Sequence, residues 1–105
     1  MITVTLFKEN GRTVRVRSSG HSGLAEHGND VLCAAVSALV QTAYLAIAEI
    51  ESDVKYDRNA KNAYFEFCVP DGERRHDIDV IVRAMCVGLK DLSSGYPQNL
   101  KLEEA

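Results

Sequence analysis

The chain has 105 residues, with 12 Lys and Arg against 15 Asp and Glu and a formal net charge of −3 at pH 7. This length predicts a single domain over 1–105, with a core that needs no disulfide or metal to hold it. The 46% hydrophobic and 26% charged residues exclude a disordered chain. The acidic balance argues against a protein that holds nucleic acid by neutralising phosphates, although it leaves room for a local basic strip.

Hydrophobic periodicity and turn residues predict seven elements. Alternating residues on either side of Asn10-Gly11 indicate a β-hairpin, and a second hairpin surrounds residues 58–60. The predicted elements are strands 2–8 and 12–17, helix 31–50, strands 54–57 and 62–69, helix 73–92 and a short strand 100–102. The order ββαββαβ predicts an α+β two-layer sandwich, with two helices on one face of a mostly antiparallel sheet of about five strands.

The first predicted helix contains no charged residue from position 31 to position 48. The length of this uncharged run is at the short limit for a membrane span. It also contains Ser37, Gln41, Thr42 and several alanines, so it is only weakly apolar. We therefore expect a helix that is buried over much of its circumference in a soluble domain. The first residues alternate like a strand and not like a signal peptide, so we expect a cytoplasmic protein with no membrane partner.

Three cysteines cannot all pair, and their spacing matches no zinc motif, so reduced thiols are expected. Cys68 and Cys86 are interpreted as structural residues. Cys33 differs because it lies in the first helical turn, three residues after the predicted N-cap Asp30. The partial positive charge of a helix N-terminus favours the nucleophilic thiolate, and first-turn N–H groups can stabilise the oxyanion of a tetrahedral intermediate.

A histidine precedes this cysteine by twelve residues. His21 lies in a predicted loop, 18–28, that is rich in glycine and serine, and it could fold back to Cys33 as a general base. However, a cysteine in an apolar helix is more often a small core residue, and a loop histidine is more often simply exposed. The residue types alone leave both interpretations open.

The run GHSGLAEHGNDVLCAAVSAL, residues 20–39, closely resembles the signature of the ribosomal-processing cysteine protease family, called Prp. The MITV opening, the two hairpins and the Tyr-Pro pair before the last strand also fit, so the resemblance covers the whole chain. The positions that match the family signature are Gly20, His21, Gly28, Asp30, Cys33, Ala34 and Ser37.

This resemblance implies a cytoplasmic bacterial endopeptidase that removes the N-terminal extension of the twenty-seventh large-subunit ribosomal protein and acts as a homodimer. Family members cut after bulky apolar residues and need no cofactor. By resemblance Cys33 is the nucleophile and His21 its base, and the glycine-containing loop is expected to close on bound substrate as a mobile lid. The loop glycines in question are Gly20, Gly23 and Gly28.

Several alternatives stay open. Asp30 either orients His21 as a third triad residue or only caps the helix, and Ser37, one turn beyond Cys33, either holds a polar partner in the site or permits close packing. His27 could replace His21 as the base. A metal site built from the two histidines and Cys33 fits no standard motif, so none is expected. A different function, a non-catalytic ribosome-associated α+β binding module, would make Cys33 a packing residue; neither function requires direct contact with nucleic acid.

Overall fold

The computed structural model of the chain describes residues 1–21 and 30–105. The element order ββαββαβ and the predicted α+β architecture are both confirmed. The elements are β1 (Ile2–Glu9), β2 (Arg12–Ser19), α1 (Val31–Ile50), β3 (Tyr56–Asn59), β4 (Tyr64–Cys68), α2 (Arg75–Gly95) and β5 (Leu100–Glu104), with a 3-10 turn at Ala60–Asn62 between β3 and β4.

Element boundaries differ from the prediction by up to three residues. Ser18 and Ser19 were expected in the loop, but they pair with Val4 and Thr3 of β1 and so extend β2. Backbone pairing here outweighs the low strand preference of serine. The second hairpin begins two residues later than predicted, and α2 runs on to Gly95, just before the Tyr96-Pro97 pair.

The five strands form one sheet in the order β3-β4-β2-β1-β5. All neighbouring strands are antiparallel except β1 and β5, which are parallel. Asn10 and Gly11 have positive φ angles of 53° and 80°, as a two-residue hairpin turn requires. The sheet order brings β4 beside β2, so the turn between β3 and β4 reaches the same end of the sheet as the end of β2.

Both helices lie on one face of the sheet and enclose the core. α2 contributes an amphipathic face at helical spacing, and alternate residues of the strands point towards it. The side chains that are fully buried between the two layers are Val4, Val16, Val36, Val40, Ile47, Phe67, Ile78, Leu89 and Leu100.

α1 is buried along one face only, which corrects the expectation that most of its circumference is covered. Val31 is 80% exposed and Leu45 is 60% exposed. A two-layer sandwich has no layer outside its helices, so the side of α1 that faces away from the sheet and from α2 is exposed to solvent. Among the described residues α1 is also the helix whose length and hydropathy of 2.0 would allow a membrane span, properties shared by core helices of soluble proteins.

The opposite face of the sheet is open and charged, with Glu66 near its centre. The Glu66 carboxylate accepts hydrogen bonds from Arg17 Nε at 2.7 Å and from the Tyr64 hydroxyl at 2.6 Å, and Arg15 lies 3.6 Å away. Burial alone would raise the pKa of Glu66, but the hydrogen bonds from Tyr64 and Arg17 and the two arginine charges hold this pKa below its ordinary value. The ionised carboxylate therefore ties β2 to β4.

Replacing Glu66 with glutamine is expected to destabilise the protein at neutral pH and to matter less in acid. Because the folded-state pKa of Glu66 is lowered, its ionised form stabilises the fold above the unfolded pKa of about 4.3, and this contribution is lost as the pH falls through the folded pKa. Urea unfolding from pH 7 to pH 3 measures the difference. Glu73→Gln at an exposed position is the control, and a difference that stays constant with pH would contradict the role given to Glu66.

Candidate active site

A cavity of about 420 Å³ lies where the start of β1 and the end of β2 meet the beginning of α1. The end of β2 supplies Gly20 and His21, and the first two turns of α1 supply Cys33 and Ser37. Six of the seven residues that the family resemblance selects therefore line one cavity; the seventh, Gly28, lies outside the described residues. The turn between β3 and β4 closes another side of this cavity.

Asp30 is the N-cap of α1, as the sequence predicted. Its carboxylate accepts a hydrogen bond from the Cys33 backbone N–H at 3.0 Å, and its carbonyl accepts one from Ala34 N–H at 3.1 Å. The Asp30 side chain also borders the cavity. The cap fixes the first turn and places Cys33 beside the cavity, so the helix-cap role of Asp30 is shown by its geometry.

The cap also narrows the choice of oxyanion donors. The sequence pointed to the first-turn N–H groups as a set, but Cys33 N–H donates to Asp30 and Ala34 N–H donates within the helix. Within 1–21 and 30–105 no acceptor takes the first-turn amides of Val31 and Leu32, so these are the candidate donors to a tetrahedral intermediate.

Three polar side chains of α1 face the cavity at four-residue intervals. Cys33 is half-buried and packs against the core, and Ser37 and Gln41 follow one and two turns later. Residues four apart lie on one face of a helix, so this spacing could have identified Gln41 from the sequence. It was missed because nothing but its position distinguishes it.

Arg58 and Asn59 were also missed as cavity residues. Arg58 lies opposite Phe65 in the β3–β4 pair, and both line the cavity. No local sequence signal identifies them, because they reach the site through the pairing of β4 with β2. Arg58 adds a cation to a cavity whose other ionisable side chains include His21, Asp30 and Cys33.

Gly20 is required by its backbone conformation and by the space around it. Its φ angle is +89°, and a Cβ at this position would lie 2.3 Å from the Met1 carbonyl oxygen. Since this neighbour is a backbone atom beside β1, a side chain at Gly20 cannot fit without moving the strand end or the adjoining His21. Gly20 therefore positions His21.

Replacing Gly20 with alanine is expected to lower both stability and peptide cleavage. Gly11→Ala is a matched control, because Gly11 also has a positive φ of 80° but a Cβ added there would meet no atom within 4 Å. Both variants carry the backbone cost of roughly 1–2 kcal/mol, and only Gly20→Ala adds the clash beside the site. Urea unfolding and a peptide-cleavage assay measure the two effects. Equal loss of activity in both variants would show that the clash is unimportant.

Other predicted residues lie away from this cavity or outside the described part of the chain. Gly23, His27 and Gly28 belong to residues 22–29, which lie outside the described residues, so the lid and the alternative base stay predictions. Cys68 is exposed at the end of β4, whereas burial raises the pKa of the half-buried Cys86 in α2. Within 1–21 and 30–105 no group of three His, Cys, Asp or Glu residues is arranged to hold a metal ion.

The sequence model of the family described as cysteine protease Prp matches residues 1–101. The chain belongs to the Prp family. The residues that the sequence resemblance selected, among them His21, Asp30 and Cys33, border one cavity. Prp proteases act in ribosomal processing, and the chain is accordingly a cysteine protease of this class.

Named Prp relatives and solved Prp structures agree with this assignment. The ribosomal processing cysteine protease Prp of Bacillus subtilis is 29% identical, over 97% of this chain and 96% of the relative. The Prp of Staphylococcus aureus strain Mu50 is 27% identical, over 97% of each chain. A crystal structure of the S. aureus Prp with a covalently linked product peptide superimposes with a TM-score of 0.90 at 25% identity, covering all of both chains. A second structure, with a substrate peptide, gives 0.84 at 23% identity and supports the shared fold.

Proposed function

We propose that this protease removes the N-terminal extension of the twenty-seventh large-subunit ribosomal protein, with Cys33 as nucleophile and His21 as general base. The observation that carries the proposal is the shared cavity. His21 at the end of β2 and Cys33 in the first turn of α1 border the same space, although twelve residues separate them in the sequence. A cysteine–histidine pair needs its two side chains within hydrogen-bond reach, and bordering one cavity is the first condition for that.

In the proposed reaction His21 takes the proton of the Cys33 thiol, and the resulting thiolate attacks the carbonyl carbon of the scissile peptide bond. His21, now protonated, gives its proton to the leaving amine as the C–N bond breaks, and a thioester to Cys33 is left. A water then loses its proton to His21 and attacks the thioester carbonyl, which releases the carboxylic acid and regenerates Cys33. The amides of Val31 and Leu32 are the first-turn donors proposed to stabilise the oxyanion in both steps.

The proposed substrate segment is an extended peptide with bulky apolar residues before the scissile bond. The cavity offers apolar surface next to the polar side chains of α1: Ala34 borders it on the helix and Phe65 borders it on β4, with the buried Val36 and Val40 behind them. An extended peptide that crosses the start of α1 would place its carbonyl near Cys33 and an apolar side chain against these residues. One or two such pockets supply moderate selectivity.

A pair of synthetic peptides tests this proposal. One spans the extension junction of the ribosomal protein, and the other has the aromatic residues beside the scissile bond changed to alanine. We expect the second to be cut at least tenfold more slowly, a difference of roughly 1.4 kcal/mol in transition-state binding. Equal rates on both peptides, or ready digestion of unfolded casein, would contradict a dedicated processor.

We also propose that the protease works as a cytoplasmic homodimer. The exposed side of α1, which includes Val31 and Leu45, supports this proposal because it is an uncharged surface on a helix whose first turns border the cavity. Sedimentation equilibrium at micromolar concentration tests it. A purely monomeric protein under those conditions would contradict it.

The match to the cysteine protease Prp family weighs against the alternative, a non-catalytic binding module in which Cys33 is only a packing residue. Cys33 is half-buried against the core, so its reactivity has to be measured directly. Iodoacetamide labelling at pH 6, mapped by mass spectrometry, separates the two functions. A catalytic thiolate alkylates quickly in the folded protein, whereas a packing thiol reacts only on unfolding.

A further inference from the structure

We propose that a second groove, between the β1–β2 turn and α2, binds the phosphate backbone of RNA. The groove has a volume of about 470 Å³. Five of the chain's twelve Lys and Arg residues line it, and among the described Asp and Glu residues only Asp79 does. We call this the basic groove, and its cationic residues are Lys8, Arg12, Arg75, Arg83 and Lys90.

Arg12 and Asp79 form the floor of the basic groove. The Arg12 side chain is only 8% exposed, and its Nε lies 3.0 Å from Asp79 Oδ1. The Nη2 of Arg12 donates a hydrogen bond to the Pro70 carbonyl oxygen at 2.6 Å. Arg12 is buried, whereas the Asp79 side chain is 40% exposed. Their ion pair fixes the hairpin against α2 and compensates the charge of Arg12, so the positive charge available to a ligand comes from the other cations of the groove.

Arg83 and Lys90 are the cations available to a ligand. Both are exposed, and neither makes an ion pair with any residue in 1–21 or 30–105. They lie seven residues apart on α2, or roughly 10 Å along the helix axis. At this separation the two side chains reach different phosphates of one nucleic-acid strand.

Lys8 and Arg75 also border the groove, and both form ion pairs with exposed acidic side chains. Lys8 lies 3.9 Å from Glu104, and Arg75 lies 3.7 Å from Asp71 and 3.6 Å from Asp79. The side chains of these acidic partners are 68%, 67% and 40% exposed, so the pairs are in solvent and contribute little to holding the cations in place. Lys8 can therefore turn towards a phosphate, and Arg75 adds positive charge beside Asp79.

The lining favours nucleic acid over an acidic protein. Val82 is the one large apolar side chain among the described residues that form the groove, and none of those residues is aromatic. Protein interfaces bury a core of aromatic and other apolar side chains, whereas nucleic-acid interfaces are polar and strongly cationic. Without aromatic rings for base stacking, the groove suits phosphates, for which the arginine fork is well shaped.

The basic groove and the catalytic cavity lie at opposite ends of β1. Ile2 borders the cavity and Lys8 borders the groove, and six residues of strand separate them by roughly 20 Å. RNA in the groove would leave the cavity open to a peptide. The net charge of −3 does not prevent this, because physiological salt screens charges beyond about 8 Å. The inference goes beyond the proposed function and does not depend on the identity of the substrate.

The test measures binding of the full chain to a fluorescent 20-base-pair RNA duplex by anisotropy at 50 to 200 mM KCl. We expect the double variant Arg83→Glu, Lys90→Glu to bind at least tenfold more weakly than the unchanged chain. If each cation contacts one phosphate, the slope of log K against log salt falls by about 2. Arg83→Gln with Lys90→Gln, a milder change, should give the same direction with a smaller loss.

The matched control is Lys55→Glu with Lys101→Glu, which makes the same charge change at two exposed lysines outside the groove. We expect its affinity to stay within about twofold of the unchanged chain, and cleavage of the extension peptide to be the same in both double variants. No binding by the unchanged chain at 50 mM salt, or equal losses in both double variants, would overturn the proposal. Displacement of the RNA by polyglutamate at equal charge concentration would also overturn it, in favour of an acidic partner.

Discussion

Replacing Cys33 with alanine is expected to reduce cleavage of the extension peptide by at least about 10³-fold while the fold stays intact, because the thiolate that forms the thioester is lost. Alanine is a good helix former, and the Asp30 cap accepts from the backbone N–H of residue 33, which the substitution keeps. Cys33→Ser is expected to be nearly as inactive, since a serine hydroxyl stays protonated at neutral pH. The measurements are initial rates on the peptide and thermal unfolding.

The other two cysteines provide the control for this prediction. Cys68 is exposed at the end of β4 and Cys86 lies in α2, and neither borders the cavity. Cys68→Ala and Cys86→Ala should therefore keep most of the activity. Near-normal cleavage by Cys33→Ala, or loss of activity only with Cys68→Ala or Cys86→Ala, would show that the nucleophile is assigned to the wrong residue.

Replacing His21 with alanine is expected to slow cleavage by about 10²–10⁴-fold, the usual contribution of a positioned general base. His76→Ala is the matched control: this histidine lies in α2, its side chain is 91% exposed and it does not border the cavity. A His21→Ala rate within tenfold of normal would move the base to another residue, with His27 the next to test.

Asp30→Asn distinguishes the two roles considered for Asp30. Asparagine caps helices about as well as aspartate, so the free energy of unfolding should change little. If Asp30 also orients His21, cleavage falls although stability is kept. If Asp30 only caps α1, cleavage and stability both stay near normal, and the pair His21 and Cys33 suffices.

The elements were predictable wherever the local pattern carries the information. The Asn10-Gly11 turn and the cap at Asp30 each act within a few residues, and the structure has both. Strand order was not predictable in this way. The parallel pairing of β1 with β5 joins Ile2 to Leu100, and nothing near either residue specifies the partner.

The same distinction holds for the candidate site, where local sequence identifies some residues and strand pairing brings in the others. Cys33 and His21 could be selected because a helix start and a motif identify them, and the structure places both at one cavity. Arg58 and Asn59 could not, since the pairing of β4 with β2 brings them there. The exposure of Val31 and Leu45 was also unforeseen, because an uncharged helix is expected to be buried until the number of layers around it is known.

The parallel pairing of β5 with β1 has a consequence for synthesis of the chain. β1 is synthesised before its neighbour β5, with which it pairs about 98 residues later in the register Ile2 to Leu100. Contacts this distant in sequence slow folding, because a long loop must close before they form. Ile2 borders the catalytic cavity, and its partner Leu100 is buried in the core. The protease should therefore complete its active cavity only after β5 has been synthesised, and a chain truncated after α2 should be inactive.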